Sequence, residues 1–96
     1  MDMEQLMAQA QDLQTKINEA QDSLAQMQVR GIGGNGNVVV TMTGKYDVLS
    51  VMIQPTALTS GAETVSKFVF DAYTDAKNKA DSLIEKVMGE VTGSLN

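Results

Sequence analysis

No cysteine and no histidine occur in this sequence, and tryptophan is also absent. Without cysteine there are no disulfides, thiolate metal sites or cysteine nucleophiles, and the chain suits a reducing compartment. Without histidine the commonest general base and the commonest transition-metal ligand are both missing. Two Phe and two Tyr leave little for stacking on bases or caging a ligand. Positive charge is scarce: seven Lys and Arg stand against twelve Asp and Glu, for a net charge of -5. That balance alone does not suggest a nucleic-acid binder, which is usually basic. No run approaches the ~18 apolar residues of a membrane span. The opening M-D-M-E-Q lacks the basic-then-apolar order of a signal peptide. These features predict one soluble, cytoplasmic domain over residues 1–96, with no catalytic residues, no metal, no cofactor and no membrane partner.

What is present is a β signal between two helical patterns. Val38–Thr43 and Val48–Ile53 are rich in β-branched residues, separated by Gly44, Lys45, Tyr46 and Asp47. This reads as an antiparallel hairpin with a four-residue loop, Thr43 pairing with Val48. That register puts Val38 opposite Ile53, Val40 opposite Val51 and Met42 opposite Leu49, six apolar residues on one face. The other face holds Val39 with Met52, Thr41 with Ser50, and Thr43 with Val48. Val39, Val48 and Met52 make this second face apolar too, so it is expected to pack against a partner subunit or a helix.

Residues 2–28 contain no Gly or Pro, and Met3, Leu6, Ala10, Leu13, Ile17, Ala20, Leu24 and Met27 recur at steps of three and four. This heptad seam predicts a helix about 40 Å long at ~1.5 Å per residue, too long for one hairpin to cover. Part of the seam needs another helix, from this chain or from a second copy. A second helix is expected over about 61–88, opened by a capping box with Ser60 as N-cap and Glu63 at N3. Gly89 and Gly93 are expected to mark its fraying end. Gly31–Gly36 spells G-x-G-x-x-G, but a dinucleotide site needs a strand before it and a helix after it. Here the order is reversed, so it reads as a glycine connection, with a short third strand near 29–32. Asp71 and Asp75, one turn apart, read as a solvated helix face rather than an acid/base or Mg²⁺ pair.

Taken together, these residues resemble the YbaB/EbfC family of small bacterial nucleoid-associated proteins. The first helix carries L-M-A-Q-A-Q-D-L-Q-T-K-I, with Leu6, Met7, Gln9, Ala10, Gln11, Gln14 and Lys16 in the family's Gln- and Met-rich opening. A glycine connection ends at Gly36. Val38 and Val40 follow, then Gly44, then Val51, Ile53, Pro55 and Leu58. Ala72, Tyr73, Asp75 and Ala76 resemble the A-[FY]-N-D-A segment. The resemblance spans about residues 3–88. It implies an α+β fold, a three-stranded antiparallel sheet flanked by long N-terminal and C-terminal helices, in a tweezer-like homodimer that binds double-stranded DNA in the nucleoid. The seam Leu6, Ala10, Leu13, Ile17 and Leu24, with Val39 and Met52, would then form the core and the dimer contact. DNA contacts would come from Lys16, Arg30, Lys67, Lys77, Lys79 and Lys86. Thr74 replaces the usual Asn, Ala8 and Glu19 fall where relatives often have Lys, and Asn78 falls in an often Arg-rich stretch. The basic surface is therefore thinned. A dimeric coiled-coil module for protein interaction is the alternative function.

Overall fold

The hydrophobic pattern resolves into two helices and a small sheet. A computed structural model describes residues 2–93. Helix α1 spans Met3–Gln26, strands β1, β2 and β3 span Gln28–Gly33, Val38–Thr43 and Val48–Ile53, and helix α2 spans Ala62–Gly93. The sheet is antiparallel throughout with β2 in the centre. The chain is drawn out to 68 × 19 × 15 Å, because both helices run past the sheet.

Asp2 starts α1: its side chain accepts from the Gln5 N–H at 2.8 Å, satisfying one of the free donors of the first turn. At the other end of the chain, Ser60 does not cap α2. It closes a 3₁₀ turn, Pro55–Ser60, and Gly61 holds the capping position, its carbonyl accepting from Val65 N–H at 3.1 Å. Gly61 has φ +94, a conformation open to glycine and not to serine, and this displaces the predicted capping box. Helix α2 also continues through Gly89 to Gly93. One glycine costs a helix only about 1 kcal/mol, and Val87 and Val91, on either side of Gly89, line a cleft shared with α1.

The core is a helix laid on a sheet. Val38, Val40 and Met42 of β2 pack against Ala72, Ala76 and Ala80 of α2, all essentially inaccessible to solvent. Ala72, Ala76 and Ala80 recur every fourth residue, a flat stripe that lets α2 approach closely. Gly31 and Gly33 complete the fit. They are not part of a flexible connection but lie inside β1, directly under α2. A Cβ on Gly31 would stand 1.9 Å from the Ala72 carbonyl oxygen, and one on Gly33 would stand 2.1 Å from that of Phe68. The glycine-rich turn proper is the 3₁₀ segment Gly34–Gly36, with positive φ at all three residues.

The hairpin differs from expectation at its closed end. Val38–Ile53, Val39–Met52, Val40–Val51 and Thr41–Ser50 pair as the alternation predicts. Met42, however, stands opposite Val48, leaving Leu49 as the extra residue of a β-bulge. The cause lies in the turn. Thr43 N–H donates to the Asp47 carbonyl at 2.8 Å, so the loop is the three residues 44–46, with Tyr46 at φ +70. Three-residue loops of this kind end on a left-handed residue, and closing the loop one residue shorter shifts the pairing by one, which the bulge at Leu49 takes up. The Thr43 hydroxyl, buried with its residue, accepts from the N–H groups of Lys45 and Asp47 and fixes the turn.

Helix α1 is anchored at its C-terminal half only. Gly44 N–H donates to the carbonyls of Leu24 and Met27, tying the hairpin tip to the end of α1. Leu24 and Ala20 are buried, and Leu13 and Ile17 are half-buried. Residues 16–27 run antiparallel to residues 84–91 of α2, with which they line shared clefts. The lower seam thus finds its second helix within the chain. Leu6 and Ala10 remain exposed, and Met3 and Met7 beside them are 72% and 59% accessible.

Candidate nucleic-acid interface

A surface for a polyanion needs cations free to meet it, so the pairing of each lysine and arginine decides what it can offer. Two of the seven are engaged. Lys67 pairs with Asp71 at 3.5 Å, one turn along α2. Lys79 pairs with Asp75 at 3.1 Å and also donates to the Arg30 carbonyl at 2.8 Å. The other five, Lys16, Arg30, Lys45, Lys77 and Lys86, form no ion pair among the described residues.

These five do not share one face. Lys16 is half-buried in a cleft of about 310 Å³ between α1 and α2, in company with Glu19 and Glu90. Arg30 lines a shallow groove of the same size on the sheet face opposite α2, with Ile32, Val39, Thr41, Ser50 and Met52. Lys77 and Lys86 lie nine residues apart on α2, which places them on opposite flanks of the helix. Lys45 stands exposed at the hairpin tip. Sequence reasoning passed over Lys45 as a turn residue; its exposure beside Gly44 is what makes it a candidate. Lys67, Lys77, Lys79 and Lys86, named together on the second helix from sequence, are not equivalent, since Lys67 and Lys79 are paired with aspartates and Lys77 and Lys86 are not.

Asp75 does structural work that its sequence position alone did not suggest. Its carboxylate accepts from Ile32 N–H at 2.9 Å while it pairs with Lys79. The Ile32 backbone bond, and then Lys79, hold its pKa below the usual 3.8, against a small opposing effect of burial. Asp71 and Asp75 are accordingly partners of Lys67 and Lys79. A carboxylate with a folded pKa below its unfolded value adds stability that is present above the unfolded value and is lost as pH falls through the folded one. Unfolding by urea from pH 7 down to pH 3 (about one unit below the normal carboxylate range) should therefore show a shallower acid loss for Asp75→Asn than for the parent chain. Parallel acid limbs would show that the contact adds nothing. Less than two turns further along α2, the Tyr46 phenol donates to Asp81, and that bond raises the tyrosine pKa above 10.0.

The sheet face that carries Val39 and Met52 is covered by neither helix, although one of this chain's helices was a candidate to cover it. Ile32 and Met52 are 51% and 53% accessible there, and Val39 is half-buried. Both helices pack on the opposite side or beyond the sheet's end.

Comparison with known proteins places this arrangement. The model of the YbaB/EbfC DNA-binding family matches residues 1–95. A nucleoid-associated protein of Gloeothece citriformis is 38% identical over 95 residues, covering 99% of this chain and 83% of that protein. One from Bradyrhizobium diazoefficiens is 40% identical over 91 residues, 94% of this chain and 86% of that protein. One from Gluconobacter oxydans is 41% identical over 92 residues, 95% of this chain and 86% of that protein. The crystal structure of an uncharacterized Helicobacter pylori protein superposes with a TM-score of 0.74 over 99% of this chain and 97% of that one, at 16% identity, a likeness of fold alone. No described helix is long and apolar enough to cross a membrane.

Proposed function

The chain belongs to the YbaB/EbfC DNA-binding family, and from that premise we propose that it is a nucleoid-associated protein that binds duplex DNA as a homodimer, with little sequence preference and without catalysis. It would act in the cytoplasm, on nucleoid organisation or gene expression. The family match over nearly the whole chain carries this reading. The exposed apolar residues of the α1 tip and of the open sheet face support self-association, since patches of this kind mark contacts.

The cations set the character of the binding. Lys16, Arg30, Lys77 and Lys86, with Lys45 added, are the groups ready to meet phosphate. Lys67 and Lys79 would first have to leave their aspartates. A dimer carries 2 × (-5) = -10 formal charges, which repel DNA at long range. Few contacts against such a field give weak binding that salt removes steeply. Each neutralised phosphate adds roughly -0.9 to the slope of log K against log salt, so two to four contacts give a slope of about -2 to -4. Fluorescence anisotropy with a labelled duplex across a salt series measures it. Charge reversal at Lys77 and Lys86 should flatten that slope by about one per lost contact. Absence of binding even at ~20 mM salt, where the Debye length exceeds 20 Å, would favour the protein-interaction reading, for which the bare α1 tip is the suited surface.

A further inference from the structure

The G-x-G-x-x-G stretch has its elements in the wrong order for a dinucleotide, yet its fifth residue carries a chemistry of its own. Asn35 precedes Gly36, the one Asn-Gly step in the chain. Both are exposed, in the 3₁₀ turn between β1 and β2. The Asn35 side chain forms no hydrogen bond with any described residue. At Gly36 a Cβ would meet nothing within 4 Å, so no neighbour blocks rotation of the peptide between the two residues.

The other described asparagines are held. Asn18 accepts from Gln14 at 3.0 Å within α1, and Asn78 lies inside α2. The N–H groups that follow them belong to helical ladders. Asn37 donates its side-chain amide to the Gly34 carbonyl at 2.8 Å, and the residue after it is Val38, buried and β-branched on the central strand.

We propose that Asn35–Gly36 is a site of spontaneous deamidation, which converts the turn to an isoaspartyl form and marks the age of each copy. The Gly36 peptide nitrogen attacks Asn35 Cγ. The Cγ–Nδ2 bond breaks, and ammonia leaves with the proton that the Gly36 nitrogen gives up. The product is a five-membered succinimide, which water opens. Cleavage between the nitrogen and Cγ leaves an ordinary aspartate at position 35. Cleavage between the nitrogen and the main-chain carbonyl carbon leaves an isoaspartate, whose backbone runs through Cβ and Cγ. Water is the sole co-reactant. At ψ 35 the Gly36 nitrogen lies nearly opposite the Asn35 Cβ. Ring closure needs nitrogen and Cγ within about 3–3.5 Å, so it waits on a local opening of this turn, not on unfolding of the domain.

The isoaspartyl product does not fit where the parent turn fits. It adds one backbone atom to a segment tied at both ends. Gly33 and Gly34 lie against Phe68 with no room for a Cβ. Asn37 N–H donates to the Gly34 carbonyl at 3.2 Å, and the Asn37 carbonyl accepts from Gln54 N–H at 2.8 Å. The longer backbone breaks the turn bond or draws one end away from its partner. Either product also adds one negative charge to a chain already at -5.

Peptide mass spectrometry of the chain aged at 37 °C and mildly alkaline pH, which supplies the deprotonated peptide nitrogen, tests the site. Asn35 should gain one mass unit at least about tenfold faster than Asn18, Asn37 or Asn78, whose surroundings hold them away from attack geometry. An isoaspartyl methyltransferase should then methylate the aged chain and not the fresh one. Asn35→Gln, which would need a six-membered ring, should abolish that methylation. The separated isoaspartyl form should melt about 4–8 °C below the parent, the effect of losing one turn hydrogen bond. Asn35→Asp, with the charge and the normal backbone, should melt close to the parent. Conversion at Asn35 no faster than at the other three, or methylation that persists in Asn35→Gln, would overturn the site. Equal melting of the isoaspartyl form and Asn35→Asp would overturn the effect assigned to the longer backbone.

Discussion

Gly31→Ala is expected to disrupt the fold more than any other single methyl group added to this chain. The added Cβ would lie 1.9 Å from the Ala72 carbonyl oxygen, 2.3 Å from the Ala76 amide nitrogen and 2.7 Å from the Ala76 Cβ. Two of these three atoms are backbone, so no rotamer change relieves the clash. Helix α2 must lift from the sheet, loosening the stripe of Ala72, Ala76 and Ala80 over Val38, Val40 and Met42. Replacing a strand glycine by alanine normally gains up to about 1 kcal/mol by restricting the unfolded chain. Overpacking a well-filled core costs typically 1–3 kcal/mol and occasionally more, and a backbone contact belongs at the upper end. We expect a net loss of about 2 kcal/mol. For a domain of this size that is a fall in melting temperature of roughly 8–16 °C. Calorimetry on Gly31→Ala and Gly36→Ala side by side gives the control, because a Cβ at Gly36 meets nothing within 4 Å. Gly36 has φ +96, so its variant carries a backbone penalty without a clash. A Gly31→Ala melting temperature equal to that of the parent chain would show that helix and sheet are not in contact through Gly31.

The second large effect is expected at Met42. It is the bulkiest of the fully buried side chains, and it sits on the central strand. Met42→Ala should cost about 2–5 kcal/mol, the transfer of the lost atoms plus the cavity they leave. Met7→Ala, at a residue 59% accessible, should stay within about 0.5 kcal/mol. The chain has seven methionines, and residue type alone does not separate these two. Denaturant midpoints at constant slope are the measurement. A comparable loss at both positions would mean that the α1 tip is buried in solution, as an interface placed there would require.

The sequence made the strands legible because two neighbouring strands that must keep their apolar residues on one face leave few registers open. Four of the paired positions follow from keeping Val38, Val40, Val51 and Ile53 on one face. The last pair was not legible, since a three-residue loop and a four-residue loop look alike in G-K-Y-D. Only the Thr43–Asp47 bond separates them. Gly31 and Gly33 were misleading for a related reason: glycine serves both flexible turns and close packing, and the residue demanding it, Ala72, lies some forty positions away. The heptad seam announced a long helix correctly but not which half of it would be covered, because α2 reaches only its lower part. On the candidate interface, the six cations named from sequence were chosen by type. Their availability depends on partners such as Asp71 and Asp75, and for Lys79 the deciding contact is the backbone carbonyl of Arg30.

Helix α1 runs for 24 residues, about 36 Å at ~1.5 Å per residue, yet only its lower half is held by the rest of the chain. A free helical segment shorter than ~12–15 residues is marginal in water. One continuous helix therefore has two stabilities along its length. Backbone amides near Leu6 and Ala10 should exchange with solvent through local fraying, and those near Ala20 and Leu24 only when the whole domain opens. That gradient makes the first turns of α1 a built-in reporter. Anything that settles on them, whether another chain or nucleic acid, has little packing to displace, and its arrival would register there first as slowed exchange. Ordering those turns is also a cost that any such ligand must meet from its own contacts, which favours partners that cover several turns at once over those that touch a single residue.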